Sequence, residues 1–202
     1  MAAVASSPAA KGLFGKLAPI YAMFFGFQRR SHARALDLAD NVIGLSQYKT
    51  VLDVGCGTGA LCAAWQGRGF AAKGIDREAR MVDVARRKTL GLGIDFRVAD
   101  VLRGLPFADE SFDIVIASHV AHGLKTDARH VMYREMQRVA GHLVILHDFN
   151  KVRSGALDFI EALEGSDYLK FIEAVQDEML SHFEQVDLLE VGPRTTWYIG
   201  RK

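Results

Sequence analysis

The hydrophobic positions of the chain alternate between short β-type runs and longer segments with helical spacing. The β-type runs predict strands over residues 50–54, 70–75, 94–99, 112–117 and 143–146. Apolar residues at helical spacing predict helices over 60–66, 77–90 and 126–139, each between two of these strands. Strands that alternate with helices in this way predict an α/β fold with a doubly wound, mainly parallel sheet.

The pattern changes after the fifth predicted strand. Two helices are predicted over 155–163 and 167–183, and the second of them carries a single apolar stripe. Two further strands follow over 186–191 and 195–200, joined by a link of three residues, 192–194. Because this link is too short for a parallel crossover, we expect the chain to end in an antiparallel hairpin.

The composition is that of an ordinary globular protein. Half of the 202 residues are apolar and 24% are charged, which excludes the collagen-like, disordered and disulfide-scaffold classes. The 25 basic and 24 acidic residues give a net charge of +1, so we expect no nucleic-acid partner. Two cysteines, Cys56 and Cys62, are too few for a disulfide framework and indicate reduced thiols in a cytoplasmic protein.

The N-terminal segment gives no sign of a targeting sequence. Residues 1–10 lack the basic segment of a secretory signal, and we expect residues 1–12 to be disordered. No apolar run reaches the roughly 18 residues that a membrane-spanning helix needs. Residues 13–27 are nevertheless apolar and aromatic, which fits a helix packed on the domain or a lid over a ligand. An interfacial helix that contacts lipid is a third interpretation, and we disfavour it.

A glycine-rich loop between the first strand and the first helix is the most informative feature. Gly55, Gly57 and Gly59 allow the backbone to approach a ligand closely at the carboxyl end of a strand, where open α/β sheets bind ligands. Asp76 follows at the end of the second strand, where its carboxylate can accept hydrogen bonds from a ribose diol. The loop also satisfies the dinucleotide-binding pattern, so the glycines alone leave NAD open.

Three features argue against NAD. Asp53 lies within the first strand, where a carboxylate can receive an ammonium group through water or a turn amide but would repel a pyrophosphate. Asp100 ends the third strand, where it can accept a hydrogen bond from an adenine amine. The predicted C-terminal hairpin also replaces the sixth parallel strand of a dinucleotide-binding fold.

Three motifs follow one another along the chain: VLDVGCGTG at 51–59, GIDREARMVDVAR at 74–86 and FRVADVLRGLPFADESFDIVIASHVAHGL at 96–124. Together they resemble the class I S-adenosylmethionine-dependent methyltransferases, particularly the small-molecule enzymes of quinone biosynthesis. The resemblance implies a Rossmann-like, doubly wound seven-stranded sheet with an antiparallel strand 7 between strands 5 and 6. It further implies an N-terminal helical lid over 13–48, a cofactor-binding core over 49–202, and S-adenosylmethionine as the cofactor.

The resemblance also implies roles for individual residues around that cofactor. The methionine half would be wrapped by Gly55, Cys56, Gly57 and Gly59, with Asp76 on the ribose hydroxyls. The adenine would be bordered by Arg77, Met81, Asp100 and Val101, with Ser118 near the sulfonium and Tyr21 pointing inward from the lid. Two alternatives stay open, since Met81 can be a core residue and Asp100 can cap a turn.

Histidines after the fourth strand are the candidates for chemistry at the methyl acceptor. If the acceptor is a hydroxyl, a phenol or a protonated amine, His119 or His122 is predicted to act as general base. His147 and Asp148 are further candidates, expected just beyond the fifth strand. One alternative is that these are loop histidines that bind backbone groups. Another is that His119 and His122 ligate a metal together with His147 and Asp148, and we expect no metal because the loop offers no dedicated carboxylate cage.

The sequence therefore predicts methyl transfer from S-adenosylmethionine to a small molecule. The alternatives are a protein that binds the cofactor without transferring methyl groups and a protein methyltransferase. Nucleic-acid amino-methyltransferases carry Asn/Asp-Pro-Pro-aromatic after the fourth strand, whereas residues 117–120 here read ASHV. The acceptor and the oligomeric state stay open at this level.

Overall fold

A computed structural model describes residues 22–152 and 168–202 of the chain. Tyr21 and most of the predicted lid segment 13–27 lie outside the described residues. So do the N-terminal tail 1–12, the predicted helix 155–163 and the first residue of the predicted helix 167–183.

One sheet of seven strands organises the described residues. Its strands are β1 (Thr50–Val54), β2 (Ala71–Asp76), β3 (Asp95–Val98), β4 (Phe112–Ser118), β5 (Ala140–Phe149), β6 (Gln185–Gly192) and β7 (Thr195–Arg201). They lie in the order β3-β2-β1-β4-β5-β7-β6. Neighbouring strands from β3 to β5 are parallel, while β7 pairs antiparallel with both β5 and β6. This topology confirms the predicted Rossmann-like fold with its antiparallel strand 7.

Helices cover both faces of this sheet. They are α1 (Phe25–Ile43), α2 (Ala60–Gln66), α3 (Ala79–Lys88), α4 (Thr126–Val139) and α5 (Tyr168–Leu180). The predicted helices 60–66 and 126–139 are confirmed at both ends, and α1 ends at Gly44, which adopts the left-handed conformation common at helix C-termini. A search of the described helices finds none that is both long and apolar enough to span a bilayer.

Each face of the sheet has its own hydrophobic core. On one face Leu36 of α1 and Trp65 of α2 pack with Val51 and Trp197 of the sheet. The other face forms a second core, which includes Leu52, Val115, Met132, Tyr133 and Phe171. Residues 51 and 52 are neighbours in β1 but belong to different cores, because successive side chains of a strand point to opposite faces. Each large apolar side chain buried in this way contributes about 1.5–3 kcal/mol.

The fifth strand is longer than its hydrophobic run predicts. The predicted strand covers 143–146, whereas β5 runs from Ala140 to Phe149 because β4 and β7 pair with it along its two edges. His147 and Asp148 were expected beyond this strand, and that placement is wrong. Both are buried strand residues, and the extra ladder hydrogen bonds carry the strand past the end of its apolar run.

Candidate active site

The glycine loop after β1 is tied to the end of β2. The backbone amides of Gly55 and Cys56 both donate to the carbonyl oxygen of Ile75, at 2.8 Å each. Gly55 has a φ of 74°, and a Cβ atom at this position would lie 2.5 Å from Cγ2 of Val120. The loop therefore needs glycine here for its backbone angle and for close contact with the segment that follows β4.

Gly57 and Asp76 form the centre of the loop. The Gly57 amide donates to Oδ2 of Asp76 at 2.9 Å, and the Glu78 amide donates to Oδ1 at 2.8 Å. Burial raises the pKa of Asp76, and these two hydrogen bonds partly oppose that rise. No heavy atom of the described residues lies within 4 Å of a Cβ built on Gly57, so these residues leave open space beside its backbone. Each carboxylate oxygen keeps acceptor capacity for a further donor.

Asp53 lies beneath this loop. Its Oδ2 atom is 3.3 Å from Sγ of Cys62 on α2, and its Oδ1 atom has no hydrogen-bond partner among the described residues. Burial raises the pKa of Asp53 to about 7, against the lowering effect of the Cys62 hydrogen bond and with a further rise from the charge of Asp76. A ligand ammonium would have to reach this carboxylate through water or the loop backbone.

The residues predicted at the adenine follow β2 and β3. Asp100 caps a short 3-10 turn, Val101–Arg103, because its Oδ1 atom accepts a hydrogen bond from the Leu102 amide at 3.0 Å. Met81 is buried and packs with Val84 in a small cluster. Both alternatives raised from the sequence are therefore observed, since Asp100 caps a turn and Met81 is a core residue. Arg77 and Val101 lie at the same edge of the sheet, after β2 and β3.

A second group of polar side chains lies at the ends of β4 and β5. His122 Nδ1 is 2.7 Å from Oδ1 of Asp148, and His119 Nδ1 is 3.7 Å from the same oxygen. His119 directly follows Ser118, the last residue of β4, and has a φ of 54°, which is uncommon outside glycine. Its amide donates to the carbonyl oxygen of His147 at 2.9 Å. We call His119, His122 and Asp148 the His-Asp cluster.

Backbone amides hold Asp148 of the His-Asp cluster in place. Its Oδ2 atom accepts hydrogen bonds from the amides of Ala121 at 3.1 Å and His122 at 3.4 Å, and Oδ1 accepts one from the Phe149 amide at 2.9 Å. Burial alone would raise the pKa of Asp148, but the charge and hydrogen bond of His122, the charge of His119 and the Phe149 amide lower it to about 2. This buried carboxylate is therefore ionised.

Two further histidine rings line up beside this cluster. The ring centroid of His147 lies 5.3 Å from that of His119 and 5.2 Å from that of His32 on α1. Nδ1 of both His147 and His32 lacks a hydrogen-bond partner in the described part of the chain. Burial, assisted by the charge of His119, lowers the pKa of His147 and brings that of His32 to about 4. Both rings are therefore neutral at physiological pH.

The structure brings together two groups of predicted residues. Gly55, Gly57 and Asp76 meet at the ends of β1 and β2, and the His-Asp cluster forms beside them, where Val120 faces Gly55. His32 was given no role from the sequence, and only the packing of α1 on the sheet brings it near His147. No local pattern around residue 32 signals this contact.

Helix α1 also reaches the glycine loop. Oγ1 of Thr58, between the second and third loop glycines, lies 3.3 Å from Oε1 of Gln28. Together with the His32–His147 contact, this places α1 along the loop and beside His147, whose ring neighbours that of His119.

Comparison with known proteins agrees with this geometry. Residues 51–141 match the family described as "Methyltransferase domain". Over 108 residues the chain is 32% identical to demethylmenaquinone methyltransferase of Tropheryma whipplei (strain Twist), covering 52% of this chain and 44% of that protein. Over 77 residues it is 38% identical to ubiquinone biosynthesis O-methyltransferase of Chelativorans sp. (strain BNC1), covering 35% and 30%. The chain thus spans less than half the length of these curated relatives.

Solved structures show the same fold. Magnesium protoporphyrin IX methyltransferase from Synechocystis PCC 6803 with bound S-adenosylhomocysteine aligns with a TM-score of 0.61 and 17% identity, covering 91% of this chain and 99% of that chain. A methyltransferase from Aquifex aeolicus aligns with a TM-score of 0.55 and 20% identity, covering 76% and 81%. The sequence matches confirm the resemblance inferred from the three motifs, and these alignments confirm the fold.

Proposed function

We propose that this protein transfers the methyl group of S-adenosylmethionine to a small molecule. The observation that carries the proposal is the hydrogen bond from the Gly57 amide to Asp76 at 2.9 Å, which places a glycine loop and an acidic residue side by side at the sheet edge. This pair lies within residues 51–141, the segment that matches a methyltransferase domain. The sequence relatives named above are methyltransferases of quinone biosynthesis, which supports a small-molecule acceptor.

The residues present fit S-adenosylmethionine. The described residues leave open space beside Gly57 that would admit the methionine half, and a side chain at that position would fill it. Asp76 would accept hydrogen bonds from the ribose hydroxyls, and Asp100 would direct its remaining acceptor capacity to the adenine amine. The sulfonium would lie toward Ser118 at the end of β4. The cofactor supplies an activated methyl group on sulfur.

The protein's part in the reaction is mainly alignment. Methyl transfer is an in-line displacement, and holding the two reactants in that line can contribute about 7–11 kcal/mol. The His-Asp cluster lies beside the glycine loop, so an acceptor over this cluster would face the methyl group. The assignment of His119 or His122 as general base stays a prediction of the sequence.

The lid assignment for residues 13–48 is part of the same proposal. The contact of Gln28 with Thr58 and that of His32 with His147 support it, because both join α1 to the proposed binding sites. A cytoplasmic location and the absence of a nucleic-acid partner also belong to this proposal. Two free, buried thiols support the first and a net charge of +1 supports the second.

Calorimetric titration with S-adenosylhomocysteine and NAD tests the cofactor. We expect S-adenosylhomocysteine to bind and NAD to give no response. Asp76→Ala should weaken binding by about 0.5–3 kcal/mol, because it removes hydrogen bonds to a charged acceptor. Asp95→Ala is the control, since Asp95 is a half-buried residue of β3 that pairs with Arg97 at 2.9 Å. Equal affinity for wild type and Asp76→Ala would contradict the site.

A methyl-incorporation screen tests the transfer. The protein would be incubated with labelled S-adenosylmethionine and pools of hydroxylated, amine and thiol metabolites, followed by separation of small molecules from protein. We expect label in the small-molecule fraction. Label in added protein would indicate a protein methyltransferase, and binding with no transfer to any pool would indicate a cofactor-binding protein.

A further inference from the structure

We propose that His119, His122 and Asp148 bind a divalent first-row transition metal such as Zn²⁺, and that the metal receives a hydroxyl group of the methyl acceptor. Metal binding stands independently of the proposed function, whereas the role of the hydroxyl rests on it. This inference goes against the expectation from the sequence, which left a metal site at these residues as an alternative and gave no metal.

The distances among the three side chains suit one ion. A ligand atom from each residue lies within 4.8 Å of the other two, and the two distances to Asp148 Oδ1 are 2.7 and 3.7 Å. Ligands held at about 2.0–2.1 Å in tetrahedral geometry are roughly 3.4 Å apart, which falls between these values. Small side-chain rotations would therefore close the group around an ion.

The chemistry of the donors selects the class of metal. Two imidazole nitrogens and one carboxylate oxygen suit Zn²⁺, Fe²⁺, Co²⁺ or Ni²⁺. Mg²⁺ and Ca²⁺ prefer ligand sets made of oxygen atoms, which this cluster does not offer. Three protein ligands also leave at least one coordination position for water or substrate, as in catalytic zinc sites.

The backbone holds the cluster in a defined arrangement. Asp148 lies in β5 and is fixed by the amides of Ala121, His122 and Phe149. His119 keeps a left-handed φ of 54°, a conformation that costs energy for a residue with a side chain and that persists where the surrounding structure requires it. The segment after β4 thus presents both histidines to the same carboxylate oxygen.

A second observation points to a polar ligand at this place. His147 is buried, its ring lies 5.3 Å from that of His119, and its Nδ1 atom has no hydrogen-bond partner among the residues described. Buried polar atoms are nearly always satisfied, so such an atom requires an explanation. A hydrated metal or a hydroxylated ligand at the His-Asp cluster would supply polar groups beside this ring.

The position of the cluster fits acceptor binding. Val120, between the two histidines, lies against Gly55, so the ion would be next to the loop proposed to hold the methionine half. The ring of Phe149 lies 4.9 Å from His119 and 4.8 Å from His122, and Phe171 flanks His122 at 6.5 Å. These aromatic neighbours favour an apolar molecule that carries a hydroxyl group.

The transfer step balances without any further reagent. The metal lowers the pKa of a bound hydroxyl as it does for bound water, and the hydroxyl proton passes to solvent. The hydroxyl oxygen then forms a bond to the methyl carbon while the carbon–sulfur bond breaks. The electron pair of that bond stays on sulfur, which gives the methylated product and S-adenosylhomocysteine.

Co²⁺ provides a direct test, because its visible absorption reports the ligands around it. Protein treated with a chelator and then titrated with Co²⁺ should take up one equivalent and develop absorption bands that excess Zn²⁺ abolishes. Loss of an outer-shell partner costs about 10–100-fold in metal affinity, so loss of a ligand in His119→Ala should cost at least about 100-fold. The His119 side chain is 38% exposed, so this variant is expected to fold.

Two other histidines provide a matched control. His130 Nδ1 and His182 Nε2 lie 2.8 Å apart on another part of the surface, at α4 and just after α5. The double variant His130→Ala/His182→Ala should bind Co²⁺ as the wild type does. His122→Ala and Asp148→Asn should lose the absorption bands, with circular dichroism confirming that each variant is folded.

The outcomes separate this inference from the proposed function. No stoichiometric Co²⁺ uptake by the wild type, or uptake lost only in the His130/His182 variant, would overturn the metal site. If the metal site is overturned but S-adenosylhomocysteine binds, the proposed function still stands. If S-adenosylhomocysteine does not bind, the proposed function is rejected whether or not Co²⁺ binds. If Co²⁺ binds but chelation leaves turnover of a hydroxylated acceptor unchanged, the proposed role of the hydroxyl fails.

Discussion

Two buried carboxylates at the sheet edge differ in the number of donors that surround them. Asp148 accepts hydrogen bonds from three backbone amides and contacts the His122 ring, and its pKa is lowered to about 2. Asp53 contacts the Cys62 thiol, and burial raises its pKa to about 7. The same residue type thus carries a stable charge in one position and a costly one in the other.

The raised pKa of Asp53 predicts a specific dependence of stability on pH. A carboxyl whose pKa is higher in the folded state than its unfolded value, about 3.9, binds protons more tightly when folded. Its contribution to the free energy of unfolding is therefore largest below about pH 4, decreases as the pH rises, and levels off above about pH 7. Asp53→Asn should remove this decrease, which urea denaturation at several pH values would measure.

Asp113 serves as the control for this measurement. The amides of Lys49 and Thr50 donate to its Oδ2 atom, and they lower its pKa although burial acts in the other direction. The contribution of Asp113 to the free energy of unfolding is present above its unfolded pKa and is lost as the pH falls. Asp113→Asn should therefore change the stability at acidic pH and leave the decrease assigned to Asp53 in place. If Asp53→Asn and wild type show the same slope between pH 4 and 7, Asp53 is ionised at ordinary pH in the folded protein.

Contacts between helices hold the segment that carries His119 and His122. Arg129 of α4 makes two hydrogen bonds to Glu178 of α5, at 2.6 and 2.8 Å, and both side chains are buried. Arg129 also donates to the Leu124 carbonyl oxygen at 2.6 Å and to Thr126 Oγ1 at 3.0 Å. This ion pair therefore joins α4 and α5 to the end of the segment that contains His119 and His122.

Breaking this ion pair from one side should be costly. Arg129→Met leaves the Glu178 charge buried without its partner, so we expect a loss of about 3–5 kcal/mol in the free energy of unfolding. The double variant Arg129→Met/Glu178→Met should recover much of that loss, because no buried charge remains. Urea denaturation of both variants measures this difference. A double variant less stable than Arg129→Met would show that the hydrogen bonds outweigh the cost of burying the charges.

At the level of the whole molecule, the sheet sets the geometry of the site. Parallel strands from β3 to β5 present their carboxyl ends at one edge, where the glycine loop and the His-Asp cluster lie. Helix α1 contacts the glycine loop through Gln28 and contacts His147 through His32. The relative positions of the glycine loop and the His-Asp cluster therefore depend on strand order.

Removal of residues 1–27 should separate folding from turnover. The buried residues of α1 begin at Ala35 and include Leu36, Ala39 and Ile43, so the truncated chain keeps the packing of this helix on the sheet. We expect an unchanged circular dichroism spectrum and greatly reduced methyl transfer, since the lid would be incomplete. A chain truncated only through residue 12 is the control and should retain activity. Full turnover by the protein that lacks residues 1–27 would reject the lid assignment.

The sequence alone determined the features that depend on neighbouring residues. β1, the glycine loop and α2 form one continuous segment, and their pattern of apolar residues and glycines predicted them residue by residue. The link over residues 192–194 is too short for a parallel crossover, and this predicted the antiparallel hairpin at the C-terminus. Local propensity and chain geometry suffice for such features, because the residues that decide them are adjacent.

Only the tertiary structure decided which distant residues meet. Asp148 reaches His122 across 26 positions because β4 and β5 are neighbours in the sheet, and His32 reaches His147 because α1 packs on the same edge. The length of β5 was likewise set by pairing on both sides, which moved His147 and Asp148 into the strand. Such contacts depend on strand order and helix packing, which minimise exposed apolar surface over the whole chain and leave no local pattern to read.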